Sequence, residues 1–133
     1  MSIRRTTEEN RKLCERFPWL KHDANYEYVW ILDDIPPGWE DLAMDMILEI
    51  DDELGRCDCK EKFVIVEVKE KWGMMRVYWG CKNPFDDPIP EACMIDDIIA
   101  KYEKMSKNIC PNCGRYKNPI KWLCKNCWKF EDT

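Results

Sequence analysis

The chain has 133 residues, of which 45% are hydrophobic and seven are tryptophan, and it carries a formal net charge of −5. This composition is too apolar and aromatic for a disordered chain, and no apolar run approaches the roughly 20 residues that a membrane-spanning helix needs. The first residues lack the apolar core of a secretory signal, so we expect a cytoplasmic protein, in whose reducing environment clustered cysteines are typical metal ligands.

The first part of the chain predicts a helix, a strand and a turn. Thr6–Phe17 predicts a helix because Thr6 and Glu9 have the spacing of a capping box and a proline follows the segment. Tyr26–Leu32 is rich in β-branched and aromatic residues, which favour a strand. Asp33–Gly38 has the composition of a turn.

The middle of the chain predicts a long amphipathic helix over Trp39–Leu54. Its apolar residues recur at helical spacing and form one stripe. Gly55 stands where a C-terminal cap belongs. The stripe consists of Trp39, Leu42, Ala43, Met46, Ile47, Ile50 and Leu54.

A β-hairpin and a last helix follow. Phe63–Lys69 and Met74–Trp79 predict two antiparallel strands joined by a short turn. Glu91–Lys107 predicts the last helix. Its inward residues are expected to be Met94, Ile95, Ile98, Ile99, Tyr102 and Met105. The fold class is therefore α+β, with about three helices and a small antiparallel sheet, and we assign this body to residues 1–107.

Residues 108–133 predict a four-cysteine zinc ribbon. Two Cys-x-x-Cys pairs stand ten residues apart, and each spacing lets one tight turn aim two sulfurs at one point. A redox pair would need a βαβ setting, which neither pair has. Four thiolates leave zinc no open position, so we predict one structural Zn²⁺ held by Cys110, Cys113, Cys124 and Cys127.

Five cysteines lie outside this module. Cys57, Cys59 and Cys81 could form a second metal site with an unidentified fourth ligand. The simpler interpretation is that they are buried or half-exposed thiols of a reduced protein, like Cys14 and Cys93.

The stretch from Asp33 to Gly55 contains nine acidic residues and no basic one. A solvated helix face is the simpler interpretation. The functional one is a surface that docks a basic partner, because a field of one sign speeds association with the opposite charge. The candidate partner-binding residues are Asp41, Asp45, Glu49 and Asp52. Glu53 also belongs to this acidic stretch.

The C-terminal segment has the opposite charge. Residues 104–133 hold seven basic and two acidic residues, a net of +5, against −10 for the rest. Basic residues interleaved with aromatics suit phosphate contacts and base stacking. The candidates for nucleic-acid binding are Arg115, Lys117, Lys121, Trp122 and Lys125. Alternatively, these cations offset the negative charge of four thiolates around one Zn²⁺.

Catalysis is not expected. The chain has one histidine and two serines, and it contains neither a G-x-S-x-G motif nor a glycine-rich phosphate loop. Four Asp-Asp pairs could hold Mg²⁺ for a nuclease reaction, but such pairs are more typical of helix caps and solvated surfaces.

Three segments resemble a family of small zinc-ribbon proteins encoded by bacteriophages and prophage-like elements. They are Asp33–Trp39, Lys69–Tyr78, and Tyr102–Ser106 with the Cys110-x-x-Cys113 pair that follows. No established activity comes with this resemblance, so it implies no catalytic residues. It implies a small phage protein that works in the bacterial cytoplasm. The cysteines at 57, 59 and 81 do not belong to the family pattern.

These features predict a non-enzymatic zinc-binding interaction protein. Its acidic face would modulate or inhibit a bacterial or phage protein complex, such as a nucleic-acid-handling defence system. The alternative is a nucleic-acid-binding or transcription-linked module that uses the basic zinc ribbon. We expect no association with a membrane.

Overall fold

The computed structural model describes residues 7–20 and 35–128, with side chains from residue 12 onward. The chain is α+β, as predicted. The described part has four α-helices where about three were expected, and one two-stranded sheet. The elements are α1 (Thr7–Arg16), α2 (Glu40–Arg56), β1 (Phe63–Lys71), β2 (Met74–Cys81), α3 (Ile95–Ser106) and α4 (Lys125–Trp128).

Two short 3₁₀ turns, Pro18–Leu20 and Pro37–Trp39, complete the described elements. The predicted strand Tyr26–Leu32 and the predicted capping pair of Thr6 with the Glu9 side chain lie outside what the structure describes. None of the described helices combines the length and the apolar character that a membrane crossing requires.

Helix α2 buries the whole predicted stripe, but it does not end at Gly55. The helix continues to Arg56, and the left-handed residue that ends it is Asp58, with φ of 55°. The Cys59 N–H donates to the Leu54 carbonyl oxygen over 2.8 Å, which is the six-to-one bond of a Schellman cap. Aspartate tolerates this conformation better than most residues, so it can take the place of glycine.

The hairpin is tighter than predicted. Strands β1 and β2 extend to Lys71 and Met74, so only Trp72 and Gly73 remain in the turn. Both have positive φ, 57° and 78°, as a type I′ turn requires. The Trp72 side chain is left 78% exposed at the tip.

Helix α3 begins at Ile95, four residues later than predicted, and covers the open edge of β2. The N–H groups of Met75 and Val77 donate to the Ser106 hydroxyl and the Glu103 carboxylate, over 2.8 and 2.9 Å. These side chains satisfy strand N–H groups that would otherwise be free to pair with another chain.

The inward face of α3 differs from the prediction at three positions. Met94 and Met105 are 46% and 44% exposed, whereas Ser106 is fully buried. Helical spacing alone predicts that apolar residues point inward. At residue 106 the inward side chain is instead a serine, whose hydroxyl accepts a hydrogen bond from the edge of β2. One core cluster joins α1, α2, α3 and both strands.

Candidate metal centre

The first cysteine pair of the module lies on a tight turn. The Gly114 N–H donates to the Cys110 carbonyl oxygen over 2.8 Å, and the Cys110 N–H donates to the Arg115 carbonyl oxygen over 2.6 Å. Gly114 adopts φ of 82°, which glycine reaches without strain. An antiparallel bridge between Ile109 and Tyr116 closes the base of the turn.

The second pair is held by a single helical turn, α4. The Cys124 carbonyl oxygen accepts hydrogen bonds from the N–H groups of Cys127 and Trp128, over 3.1 and 3.0 Å. This short helix was not predicted, because four residues are too few for a periodic pattern. It turns the two side chains of the pair toward the same point.

The four sulfur atoms lie within 4.8 Å of one another, and those of Cys113 and Cys124 are 3.5 Å apart. Metal–sulfur bonds of about 2.3 Å in a tetrahedron separate sulfurs by about 3.8 Å, so small side-chain rotations suffice. The Asn112 side-chain amide donates to the Cys127 sulfur over 3.2 Å. The group could hold one metal ion, and its members are the four predicted ligands: Cys110, Cys113, Cys124 and Cys127.

The local backbone, burial and the neighbouring thiols together set the pKa values of the cysteines. The N–H of Cys127 is the main cause that lowers the pKa of Cys124 to about 6. At Cys113 the Arg115 N–H acts in the same direction, but burial and the neighbouring thiols prevail and raise the pKa to about 12. Metal binding must therefore displace protons from the group.

Lys117 does not face solvent, so it is not available for the predicted contact with nucleic acid. Its side chain is 2% exposed, and its ammonium donates to the carbonyl oxygens of Lys107 and Lys121 over 2.5 and 2.9 Å. Burial lowers the pKa of Lys117, and its charge acts on Cys110. The position fits the alternative interpretation, in which a cation offsets the negative charge of the thiolates.

The cysteine module is bound to the body at Gly38 and Trp39. The Gly38 N–H donates to the Pro111 carbonyl oxygen over 2.7 Å, and a Cβ at residue 38 would lie 2.1 Å from the Cys110 carbonyl oxygen. The Trp39 indole donates to the Ile109 carbonyl oxygen. From sequence, Gly38 was interpreted only as a turn residue, because nothing local shows which backbone approaches it.

The remaining basic candidates do not form one surface. Lys121 and Lys125 line a groove of about 490 Å³ together with Tyr116 and Trp128, and the Lys121 ammonium lies 5.7 Å from the Trp128 ring. Trp122 instead lines a separate cleft of about 310 Å³ beside the Pro36–Pro37 segment. Arg115 is exposed but lines neither.

The acidic candidates fall into exposed aspartates and glutamates that pair with basic residues. Asp41, Asp45 and Asp52 are exposed and form no ion pair within the described part of the chain. Glu49 lies 2.6 Å from the Lys101 ammonium, whose hydrogen bond lowers the pKa of this carboxyl. Glu53 is buried and pairs with Arg56, so it does not belong to the exposed face.

A second group of cysteines converges near the end of α2. The sulfurs of Cys57, Cys59 and Cys93 lie within 4.8 Å of one another. The sequence left open a group that included Cys81, but the Cys81 sulfur lies 3.6 Å from the Asp87 carbonyl oxygen instead. Cys93 was missed because it is 34 residues from Cys59, and no local spacing links them.

No protein-family model, curated protein or solved structure matches this chain.

Proposed function

We propose that the chain is a non-enzymatic, zinc-binding interaction protein that docks a basic surface of another protein through α2. One observation carries the proposal. Asp41, Asp45, Leu48 and Asp52 follow one another at helical spacing, and all four are exposed. Their carboxylates form no ion pair within the described residues, and Leu48 is 41% exposed between them.

This row of residues does not help the helix to fold. Like charges one helical turn apart, such as Asp41 and Asp45, destabilise a helix slightly. The exposed Leu48 side chain contributes no hydrophobic free energy to folding while it stays in contact with water. Both features suit an interface in which charge steers the encounter and an apolar side chain is desolvated at the centre.

Zinc would have a structural role in this protein. Four thiolates suit Zn²⁺ and leave no position for a substrate, so the ion would fix the module on the body. The resemblance to phage zinc-ribbon proteins suggests where the partner is found. We propose a bacterial complex that handles nucleic acid, such as a defence system, because a phosphate-binding protein surface is basic.

The test compares two triple variants of equal net charge. The docking variant is Asp41→Lys, Asp45→Lys and Asp52→Lys, and the control is Glu61→Lys, Asp86→Lys and Glu91→Lys, at exposed sites elsewhere. Tagged proteins are used to capture partners from a nuclease-treated bacterial lysate. We expect wild type and control to retain the same stoichiometric protein, with binding that weakens as salt rises, and the docking variant to lose it. Equal capture by the docking variant would reject the proposal.

A second candidate function is binding of single-stranded nucleic acid by the cysteine module. The groove carries it, because Lys121 and Lys125 stand beside the Tyr116 and Trp128 rings. This arrangement supplies phosphate contacts and stacking platforms.

Its test is oligonucleotide binding at several salt concentrations. The variant Lys121→Ala and Lys125→Ala should bind more weakly, with a salt slope smaller by about 0.7 per lysine. The control, Lys71→Ala and Lys82→Ala, removes two exposed lysines outside the groove and should bind as wild type does. Absent binding, or binding insensitive to salt, would remove this candidate.

A further inference from the structure

The end of α2 brings two thiols together. Cys57 caps the helix and Cys59 follows after Asp58, whose φ of 55° reverses the chain. The Cys57 sulfur lies 3.1 Å from the Glu53 carbonyl oxygen, and the Cys59 sulfur lies 3.2 Å from the Cys57 carbonyl oxygen. The left-handed residue between them directs both sulfurs to the same side of the cap.

The third thiol comes from the segment before α3, which two side chains of α2 hold in place. The Glu53 carboxylate accepts the Met94 N–H over 2.6 Å, and the Arg56 guanidinium donates to the Ala92 carbonyl oxygen over 3.1 Å. Glu53 and Arg56 also pair with each other. Cys93, between these anchored residues, therefore has a fixed position, and its sulfur lies 2.7 Å from that of Cys57.

The group has the chemistry of a thiolate metal site. Thiolates select thiophilic cations such as Zn²⁺ and Cu⁺. A bound ion would move the sulfurs of Cys57 and Cys93 about 1 Å further apart, toward the about 3.8 Å of a tetrahedral site. Cys59 is fully buried, Cys93 is 9% exposed and Cys57 is half-buried.

Two cationic side chains act on the group. Arg56 interacts electrostatically with Cys57 and Cys93, and Lys62 with Cys59. Three thiolates around one divalent ion leave one negative charge. Arg56 and Lys62 offset only part of it, because they also pair with Glu53 and Asp87.

We infer that Cys57, Cys59 and Cys93 form a second metal site, for Zn²⁺, distinct from the four-cysteine centre. No fourth cysteine, histidine or carboxylate joins them among the described residues. Three protein ligands leave one position for solvent or an exogenous ligand. Cys93 also lines a surface cleft of about 370 Å³, which brings solvent close to the group.

The test is a cobalt titration of the full chain, reduced, stripped of metal and kept without oxygen. Thiolate-bound Co²⁺ absorbs strongly, so the number of ions bound can be counted. We expect wild type to saturate at about two equivalents and Cys93→Ser at about one. Cys81→Ser is the matched control, since its thiol lies outside the group, and it should keep about two.

A second measurement uses the wild-type protein only, so it does not depend on whether a variant folds. Wild type is titrated with Zn²⁺ alone, and alkylation of each cysteine is followed by mass spectrometry. Half-buried Cys57 should become slow to react only when more than one equivalent is present. Saturation at one equivalent in wild type, or rapid alkylation of Cys57 that persists in excess Zn²⁺, would overturn the proposal.

Discussion

The indole Nε1 of Trp39 donates a hydrogen bond to the carbonyl oxygen of Ile109 over 2.8 Å. Trp39 is fully buried at the start of α2, and Ile109 immediately precedes the first cysteine of the candidate metal centre. The body core and the metal module therefore share one buried side chain. Stability of the body and metal affinity should be coupled through it.

Trp39→Phe tests this coupling. The change removes the indole donor and leaves the Ile109 carbonyl oxygen without that partner, at a cost of about 1–3 kcal/mol. We expect metal affinity to fall along with the free energy of unfolding. Trp79→Phe is the control, because Trp79 packs on Phe63 in the hairpin. Equal metal affinity in the two variants would contradict the coupling.

Gly38→Ala should displace the module from the body. The added Cβ would lie 2.1 Å from the Cys110 carbonyl oxygen and 2.6 Å from the Gly114 nitrogen, so backbone must move. Overpacking of this kind costs about 1–3 kcal/mol or more. Gly80→Ala makes the same chemical change where no atom lies within 4 Å. Calorimetric melting of both variants checks the prediction, and similar melting temperatures would refute it.

Ser106→Ala should destabilise the sheet edge. The hydroxyl accepts the Met75 N–H over 2.8 Å and is fully buried, so its loss leaves a strand donor unsatisfied. We expect a loss of about 1–3 kcal/mol in urea unfolding. Met105→Ala, at the exposed neighbouring position, should cost much less. A smaller effect at Ser106 than at Met105 would mean that α3 does not protect this edge.

The ion pair at the end of α2 predicts a pH dependence. Hydrogen bonds from Arg56, then from the Met94 N–H, lower the pKa of Glu53 from 4.5 to about 2. Because the folded pKa is the lower one, this stabilisation is fully present above pH 4.5 and is lost as pH falls toward 2. In metal-free protein, the stability difference between wild type and Glu53→Gln should therefore shrink below pH 4.5. A constant difference across pH would refute this assignment. Glu61→Gln, at an exposed site, is the control.

Loss of the four-cysteine centre should unfold the module, while the body becomes less stable but stays folded. The turns that hold the cysteines are short and have little core of their own, whereas α2 and α3 pack on the hairpin. In Cys124→Ser we expect rapid hydrogen exchange over 110–128 and continued protection in α2 and α3. Cys81→Ser should exchange as wild type does. Full protection of the module in Cys124→Ser would show that it does not depend on metal.

Local patterns were sufficient for the features that depend on local spacing. The stripe of α2 and the two Cys-x-x-Cys pairs predicted a buried helix face and a convergent thiol cluster, and both are present. The start of α3 was wrong because bonds from Glu53 and Arg56 hold the preceding residues in a turn. Those bonds span 41 and 36 residues, so no window of sequence reveals them.

The same limit applies to the sites. Cys93 joins Cys57 and Cys59 only through tertiary packing, so the sequence offered Cys81 as the possible third thiol instead. Lys117 stands next to an aromatic residue, as the exposed Lys121 does. Only the carbonyl oxygens of Lys107 and Lys121, brought together by folding, distinguish it.

Burial of the Lys117 ammonium also lowers its reactivity toward acylating reagents. A primary amine must be accessible and uncharged to attack an acylating reagent, and this one is covered by protein and bonded to two carbonyl oxygens. Lys121 and Lys125 stand in water close by. We therefore expect an acylating reagent to modify these two while the module is folded. It modifies Lys117 only when the module opens, so an acetyl group at this residue records past unfolding.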